Sequence, residues 1–178
     1  MTRTDEDSGP VIVAAVEGGG TSFVLAVARL VENSPVPQIL HRHEVDSSHD
    51  EPFRTLSECA DFFRLHKPTM GYHAVGIATF GPVGLNPSRN YGHILGSSPK
   101  KPWRNVDILT PLSDACKGSR PLRVKIETDV NAPAFAEYLL EKEKLSSVAY
   151  VTVGTGIGVG LVINGQPVHG RMHPEGGE

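Results

Sequence analysis

The chain is poor in cysteine, in aromatic residues and in long apolar runs, and it carries little surplus of either charge. Its two cysteines, Cys59 and Cys116, form no metal-type spacing. Both fall in predicted helices, where reduced and buried thiols are the expected state. The net charge is −3 and the pI is near 6.2, so nothing electrostatic points to nucleic acid or to a membrane surface. No apolar run approaches the ~20 residues that span a bilayer. The opening residues 1–10 are polar and acidic, unlike a signal peptide, and read as a disordered tail. A cytoplasmic location is therefore expected by default. What remains is an ordinary globular composition, 39% hydrophobic and 21% charged. Such a length can bury one core and the start of a second.

Glycine, by contrast, is concentrated where it can do chemistry. Two glycine-threonine turns follow apolar β-type runs: Glu17-Gly18-Gly19-Gly20-Thr21 after residues 11–16, and Gly154-Thr155-Gly156-Ile157-Gly158 after residues 148–153. Turns of this kind offer backbone N–H groups and a hydroxyl to a polyphosphate. The first fits neither G-x-G-x-x-G nor a P-loop, and the run that follows it reads as strand, not helix. A plain hairpin turn also accounts for its glycines, but Glu17 adds nothing to turning and is well placed to hold Mg²⁺ or its water shell. For the second turn the alternative is a strand that needs small residues for packing. Two such turns, each after a buried strand, favour a clamp on phosphate.

The remaining pattern is α/β. Residues 11–16, 22–30 and 38–45 read as three strands joined by short turns, an antiparallel meander. A helix opens at Pro52 and ends at Lys67-Pro68. A strand follows over 73–80, closed by Gly81-Pro82-Val83-Gly84. Residues 86–105 are irregular, a length that favours a functional loop. Thr110-Pro111 is expected to cap a short helix ending at Lys117-Gly118. A strand over 122–127 and a helix over about 132–144 come next, the latter with Ala134, Phe135, Tyr138 and Leu139 on its apolar face. A strand over 147–153 then runs through the second turn into 159–163, and Asn164-Gly165 turns the chain back. The order predicts a mixed-sheet lobe over residues 11–128. Residues 129–178 then read as a linking helix and the start of a second, related lobe. No helices follow to cover that second sheet, so its apolar face is expected to be exposed.

Between the glycine turns stands Asp129, in Glu127-Thr128-Asp129-Val130-Asn131. Asx residues before a helix are preferred N-caps, and Asn131 needs no further role. Asp129 ends a buried strand, where a catalytic base can face a cleft. His41 and His43 alternate on one strand face, with His49 in the loop beyond, and a solvated or weakly metal-binding face is the plain reading. His173-Pro174-Glu175 lies in a loop rich in Gly, Pro and charge, a plausible substrate contact.

These motifs together resemble the ROK (repressor, open reading frame, kinase) sugar kinases, in their fructokinase branch. Val16–Thr21 resembles the first phosphate motif, with Glu17 where other members have Asp. Phe80-Gly81-Pro82-Val83 resembles the sugar-site strand end. Tyr91-Gly92 and Ser98–Trp103 resemble the Pro-Lys…Trp segment. Thr128–Ala132 matches the catalytic motif, Gly154–Gly158 the second phosphate loop, and His173-Pro174-Glu175 the start of a sugar-binding segment. The resemblance implies an actin-like, ribonuclease-H-like (ASKHA) α/β fold of two lobes. It further implies ATP-dependent phosphorylation of a hexose, D-fructose giving fructose 6-phosphate, with Asp129 as general base and Mg²⁺ near Glu17. ATP phosphates would meet Gly19, Gly20, Thr21, Gly154, Thr155 and Gly156. The sugar would meet Gly81, Pro82, Trp103, Thr128, Asn131 and Glu175. Kinases for glucose, mannose or N-acetylated sugars and an inactive, sugar-binding piece are the alternatives, and the resemblance, to a family whose members are often dimers, implies a homodimer for a full-length protein. Three positions depart from the family pattern: Ser22 where Lys is usual, Pro133 where a small residue is usual, and Glu178 where a zinc-ligand His is expected. The cysteines that complete that zinc site are absent from this chain, which looks like the front half of such an enzyme. Alone it is expected to be slow or inactive.

Overall fold

β1 (Ile12–Gly18), β2 (Ser22–Arg29) and β3 (Gln38–Asp46) form the expected antiparallel meander. The computed structural model in which they are seen describes residues 9–154, 156–170 and 176–177. After α1 (Pro52–Leu65), the chain enters β4 (Ala74–Thr79), which lies parallel to β1 on the side away from β2. A long loop holding a 3₁₀ turn at Lys101–Trp103 leads to α2 (Leu109–Cys116), and β5 (Arg123–Thr128) then joins β4 in parallel. The five-stranded sheet has the order β3-β2-β1-β4-β5.

Alternation along the strands gives this sheet two unlike faces. Leu25, Val27, Val75, Ile77 and Ile126 point to one side, where they form a single core with Leu56, Cys59 and Phe63 of α1 and Leu112 of α2. Burial pushes the Cys59 and Cys116 thiols up to about 12, so both remain protonated at neutral pH. The opposite side carries small residues. Ala15, Gly76 and Ala78 floor a groove of about 450 Å³, which Phe135 and Pro167 help to close.

The helix over 109–116 begins earlier than Thr110-Pro111 suggested. Asp107 is the group that receives its first amides, with Oδ1 accepting from Leu109 N and Thr110 N, each at 3.0 Å. Thr110 is therefore inside the helix. The alternating histidines of β3 pack on α1: His41 stacks on His66 at 3.9 Å between ring centroids and His43 on Phe62 at 5.7 Å.

α3 (Asn131–Glu141) leads into β6 (Ser147–Val153) and β7 (Ile157–Ile163), an antiparallel pair extended by β8 (Gln166–Pro167) and β9 (Gly176–Gly177). Asn164 and Gly165, with φ of 49° and 76°, make the two-residue turn that an Asn-Gly pair favours. α3 packs on this second sheet through Ala134 and Tyr138, while Leu139 is exposed, contrary to the apolar face read from sequence. The other face of the second sheet is open, as expected: Val151, Val153, Ile157, Leu161 and Ile163 are all exposed, Val153 at 79%. Among the described residues no helix is long and apolar enough to cross a membrane.

Candidate active site

Three parallel strand ends meet at one edge. Gly18, Thr79 and Thr128 are in register across β1, β4 and β5, so the residues after them leave the sheet side by side. Two hydrogen bonds extend the ladder past the strands: Phe80 N donates to Gly18 O at 2.8 Å, and Asp129 N to Thr79 O at 2.9 Å. The first glycine turn, the Phe80-Gly81-Pro82 segment and Asp129 are thereby placed within two strand spacings, about 10 Å. Ligands of α/β sheets bind outside such carboxyl-terminal edges.

The first turn is both a hairpin and an open donor set. Gly19 N donates to Ser22 O at 2.9 Å, which closes the turn and uses that amide. The expectation that Gly19 offers a bare N–H is therefore corrected. Gly20 and Thr21 are exposed, and their amides have no partner among the described residues. The second turn behaves alike, with Gly154 N donating to Gly156 O at 2.9 Å. Glu17 is exposed at the end of β1.

The long loop after β4 is fastened against the first turn. Ser98, fully buried, donates from Oγ to Gly81 O at 3.2 Å, and Arg104 Nε donates to Ser98 O at 2.7 Å. Trp103 is fully buried between two rings, stacked on Phe23 at 5.2 Å and edge-on to Phe80 at 5.3 Å. That location corrects its expected place against the sugar. A large ring at the start of β2 offers it a better surface than the cleft does, and it shapes the site only by packing. On this platform Lys100 reaches Gly20, its ammonium donating to the carbonyl. The same ammonium lies 4.8 Å from the centroid of Phe80 and 5.8 Å from that of Trp103. Burial there holds it below the usual lysine range, with the charge of Asp50 acting in the other direction.

Around Asp129 the turn is set by its neighbours. Thr128, fully buried, accepts at Oγ1 from Asn131 N at 3.1 Å and so caps α3, a role that Asn131 was a candidate for. Asn131, also fully buried, instead reaches across to the second sheet, where its Oδ1 accepts from Leu161 N at 3.2 Å. Its Nδ2 points to Glu127 Oε1 at 3.4 Å. This is a correction to its expected contact with sugar hydroxyls, because its burial and those partners make it a brace between the two sheets. The buried Glu127 takes a further partner from the second unit, His169 Nε2 at 2.7 Å from Oε2. Asp129 itself is half-buried and sits at the rim. Replacing Asn131 by Ala leaves the Leu161 amide without this partner and removes one of the two hydrogen bonds to Glu127 Oε1, the other coming from Thr128 N. The expected loss is about 1–3 kcal/mol of stability, which urea unfolding measures directly.

Glycines 158 and 160 are explained by approach, not by phosphate. A Cβ at Gly160 would lie 2.1 Å from Val130 O and 2.7 Å from Asn131 N. β7 therefore rests its backbone on the turn that carries Asp129. Gly154, by contrast, has no atom of the described residues within 4 Å of such a Cβ. The packing reading of the second glycine run therefore holds for Gly158 and Gly160. Among the other anticipated residues, Gly81 is half-buried and Pro82 buried beside the strand end. Thr155, His173, Glu175 and Glu178 lie outside the described residues. Sequence reasoning missed Lys100, Glu127 and His169 as contributors. Only the Ser98-Pro99-Lys100 string, in a loop held by aromatics, carried any signal of them.

A meander followed by two parallel strands in this order, with helices on one face and the start of a second sheet packed on the β5–α3 turn, defines an actin-like, ribonuclease-H-like lobe. The site lies at the carboxyl edge of its parallel strands. The chain belongs to the ROK family, whose model matches residues 13–178. It is 37% identical over 172 residues to a fructokinase of Zymomonas mobilis subsp. mobilis, covering 93% of this chain and 52% of that one. A fructokinase of Lactococcus lactis subsp. cremoris is 33% identical over 168 residues, with 94% and 52% covered. Among solved structures, a putative N-acetylmannosamine kinase of Listeria monocytogenes superposes with a TM-score of 0.67 at 28% identity, over 94% of this chain and 52% of that one. The chain spans about half the length of the relatives it matches.

Proposed function

We propose that this chain carries the catalytic edge of an ATP-dependent hexose kinase, with D-fructose as the preferred sugar and fructose 6-phosphate as product. The observation that supports the reading is the alignment of the three strand ends: the Gly20 and Thr21 amides, without partners among the described residues, stand in the same row as a half-buried carboxylate at Asp129. An amide pair suits phosphate oxygens, and a carboxylate within reach suits the proton of an attacking hydroxyl. The similarity to two fructokinases favours fructose over other hexoses.

In this mechanism Gly20, Thr21 and the second turn hold the triphosphate from opposite sides, while the Gly81-Pro82 segment and Glu175 orient the sugar. Thr128 fixes the turn that presents Asp129, and Asn131 and Trp103 act through packing. Asp129 accepts the hydroxyl proton as the sugar oxygen forms its bond to the γ-phosphorus and the bond to the bridging oxygen breaks. Glu17, exposed beside the open amides, is the group that would hold the hydrated Mg²⁺, which supplies charge neutralisation on the phosphates. Approach of the second turn excludes water from the transfer.

A coupled ADP-release assay with ATP, Mg²⁺ and each of fructose, mannose and glucose tests this on the purified chain, beside thermal melts with the same ligands. Slow turnover of fructose, above that of the other two, is the expected result for a chain that spans about half the length of its relatives. Equal turnover of the three removes the preference for fructose. Failure of both MgATP and fructose to raise Tm at millimolar concentration removes the kinase reading, since a ligand of the native state must stabilise it.

A further inference from the structure

Phosphate-binding turns are commonly supplemented by a cation, and Glu17-Gly18-Gly19-Gly20-Thr21-Ser22 contains none. The fold supplies one from 80 residues away. Lys100 is carried to Gly20 by a loop that is fixed at both of its flanks, by Ser98 on Gly81 and by Trp103 between Phe23 and Phe80. Its ammonium touches one carbonyl and two ring faces and feels the charge of Asp50, but no carboxylate among the described residues forms an ion pair with it. A half-buried ammonium in that condition is incompletely compensated. An anion beside it would complete the compensation, and the Gly20 and Thr21 amides, without partners among the described residues, stand next to it.

We propose that Lys100 is the cationic ligand of the terminal phosphoryl group at the first glycine turn, a phosphate-binding and charge-stabilising residue supplied by the sugar-side loop. The proposal rests on the kinase reading for its consequence in catalysis. Lys100 stays protonated throughout and forms no covalent bond. As the bridging oxygen departs with its electron pair, the ammonium offsets charge on the equatorial and leaving oxygens, and the sugar proton goes to Asp129. Because Ser98 ties the same loop to Gly81, one segment registers the sugar-side strand end and the phosphate together. Cation–π contacts with Phe80 and Trp103 fix the direction of the side chain, which otherwise has four rotatable bonds.

The test compares Lys100→Met and Lys100→Arg with Lys101→Met, an exposed neighbour in the same 3₁₀ turn. Two readouts run in parallel: steady-state phosphorylation of fructose, and calorimetric binding of inorganic tripolyphosphate. Lys100→Met is expected to lose about 10²–10³-fold in kcat, with KM for fructose within threefold. Tripolyphosphate affinity should fall at least tenfold. Lys100→Arg should recover part of both losses and Lys101→Met neither lose nor gain. An active chain whose Lys100→Met variant stays within threefold in both readouts overturns the role of Lys100 and leaves the kinase reading standing. An inactive chain that still binds tripolyphosphate through Lys100 supports the site and counts against the kinase reading. A chain that neither turns over sugar nor binds tripolyphosphate overturns both. Where Lys100→Met lowers Tm, Lys100→Arg decides. Weak tripolyphosphate binding by a stable Lys100→Arg, equal to that of Lys100→Met, marks a packing role only.

Discussion

Asp129→Asn is expected to lower kcat for sugar phosphorylation by about 10²–10⁴-fold, the range that positioned proton transfer contributes. The substitution is nearly isosteric, and three of the bonds that place residue 129 belong to the backbone and to its neighbours. The amide of Asp129 donates to Thr79 O, Thr128 caps α3, and Asn131 braces the turn against Leu161. None of these needs a carboxylate at position 129. These bonds should keep the fold in the variant, with the KM for ATP within a few-fold of the parent. A loss confined to kcat identifies proton acceptance as the role. A residual rate above one tenth of the parent would falsify it and leave Asp129 as an orienting group, since phosphoryl transfer with a loose transition state draws most of its acceleration from positioning and charge.

How far this site could be read in advance depended on the range of the interactions involved. The β1–β2 hairpin was legible because alternation, the glycine turn and the Glu17 carboxylate are local. So was the end of β5 at Asp129, since apolar alternation stops there and a helical pattern begins two residues later. Trp103 was misplaced for a physical reason: an aromatic in a polar loop looks like a ligand contact until Phe23 and Phe80, distant in sequence, close over it. Asn131 was misplaced likewise, because its partner Leu161 lies on a strand 30 positions away. A local rule gives Asn at a helix start to capping, and Thr128 had already taken that bond. Lys100 was quoted as part of a motif without a role, since no spacing rule connects it to Gly20. Leu139 followed the 3.6-residue period, yet it is exposed on α3, and the period alone does not say how wide a partner surface will be.

The glycines of β7 provide a graded test of the contact on which the two sheets depend. At Gly160 an added Cβ meets Val130 O at 2.1 Å and Val130 C at 2.3 Å. Both are backbone atoms, so no rotamer change relieves the overlap. At Gly158 the nearest atoms are Thr152 Oγ1 at 2.9 Å and Val130 Cγ1 at 3.0 Å, which are side-chain atoms that can give. At Gly154 no atom of the described residues lies within 4 Å. Gly160→Ala must separate β7 from the β5–α3 turn, and the Leu161–Asn131 bond breaks with it. The expected cost is that of severe overpacking, about 1–3 kcal/mol or more. For a chain of this size each kcal/mol corresponds to about 2–4 °C in Tm. Gly158→Ala should cost less, and Gly154→Ala should leave Tm unchanged. Activity is expected to fall further in Gly160→Ala than stability alone requires, because the displaced turn carries Asp129. Equal melting temperatures for the 154 and 160 variants would show that the second sheet is not seated on the turn. In that case the approach of the two phosphate turns would have to be set by something other than the glycines of β7.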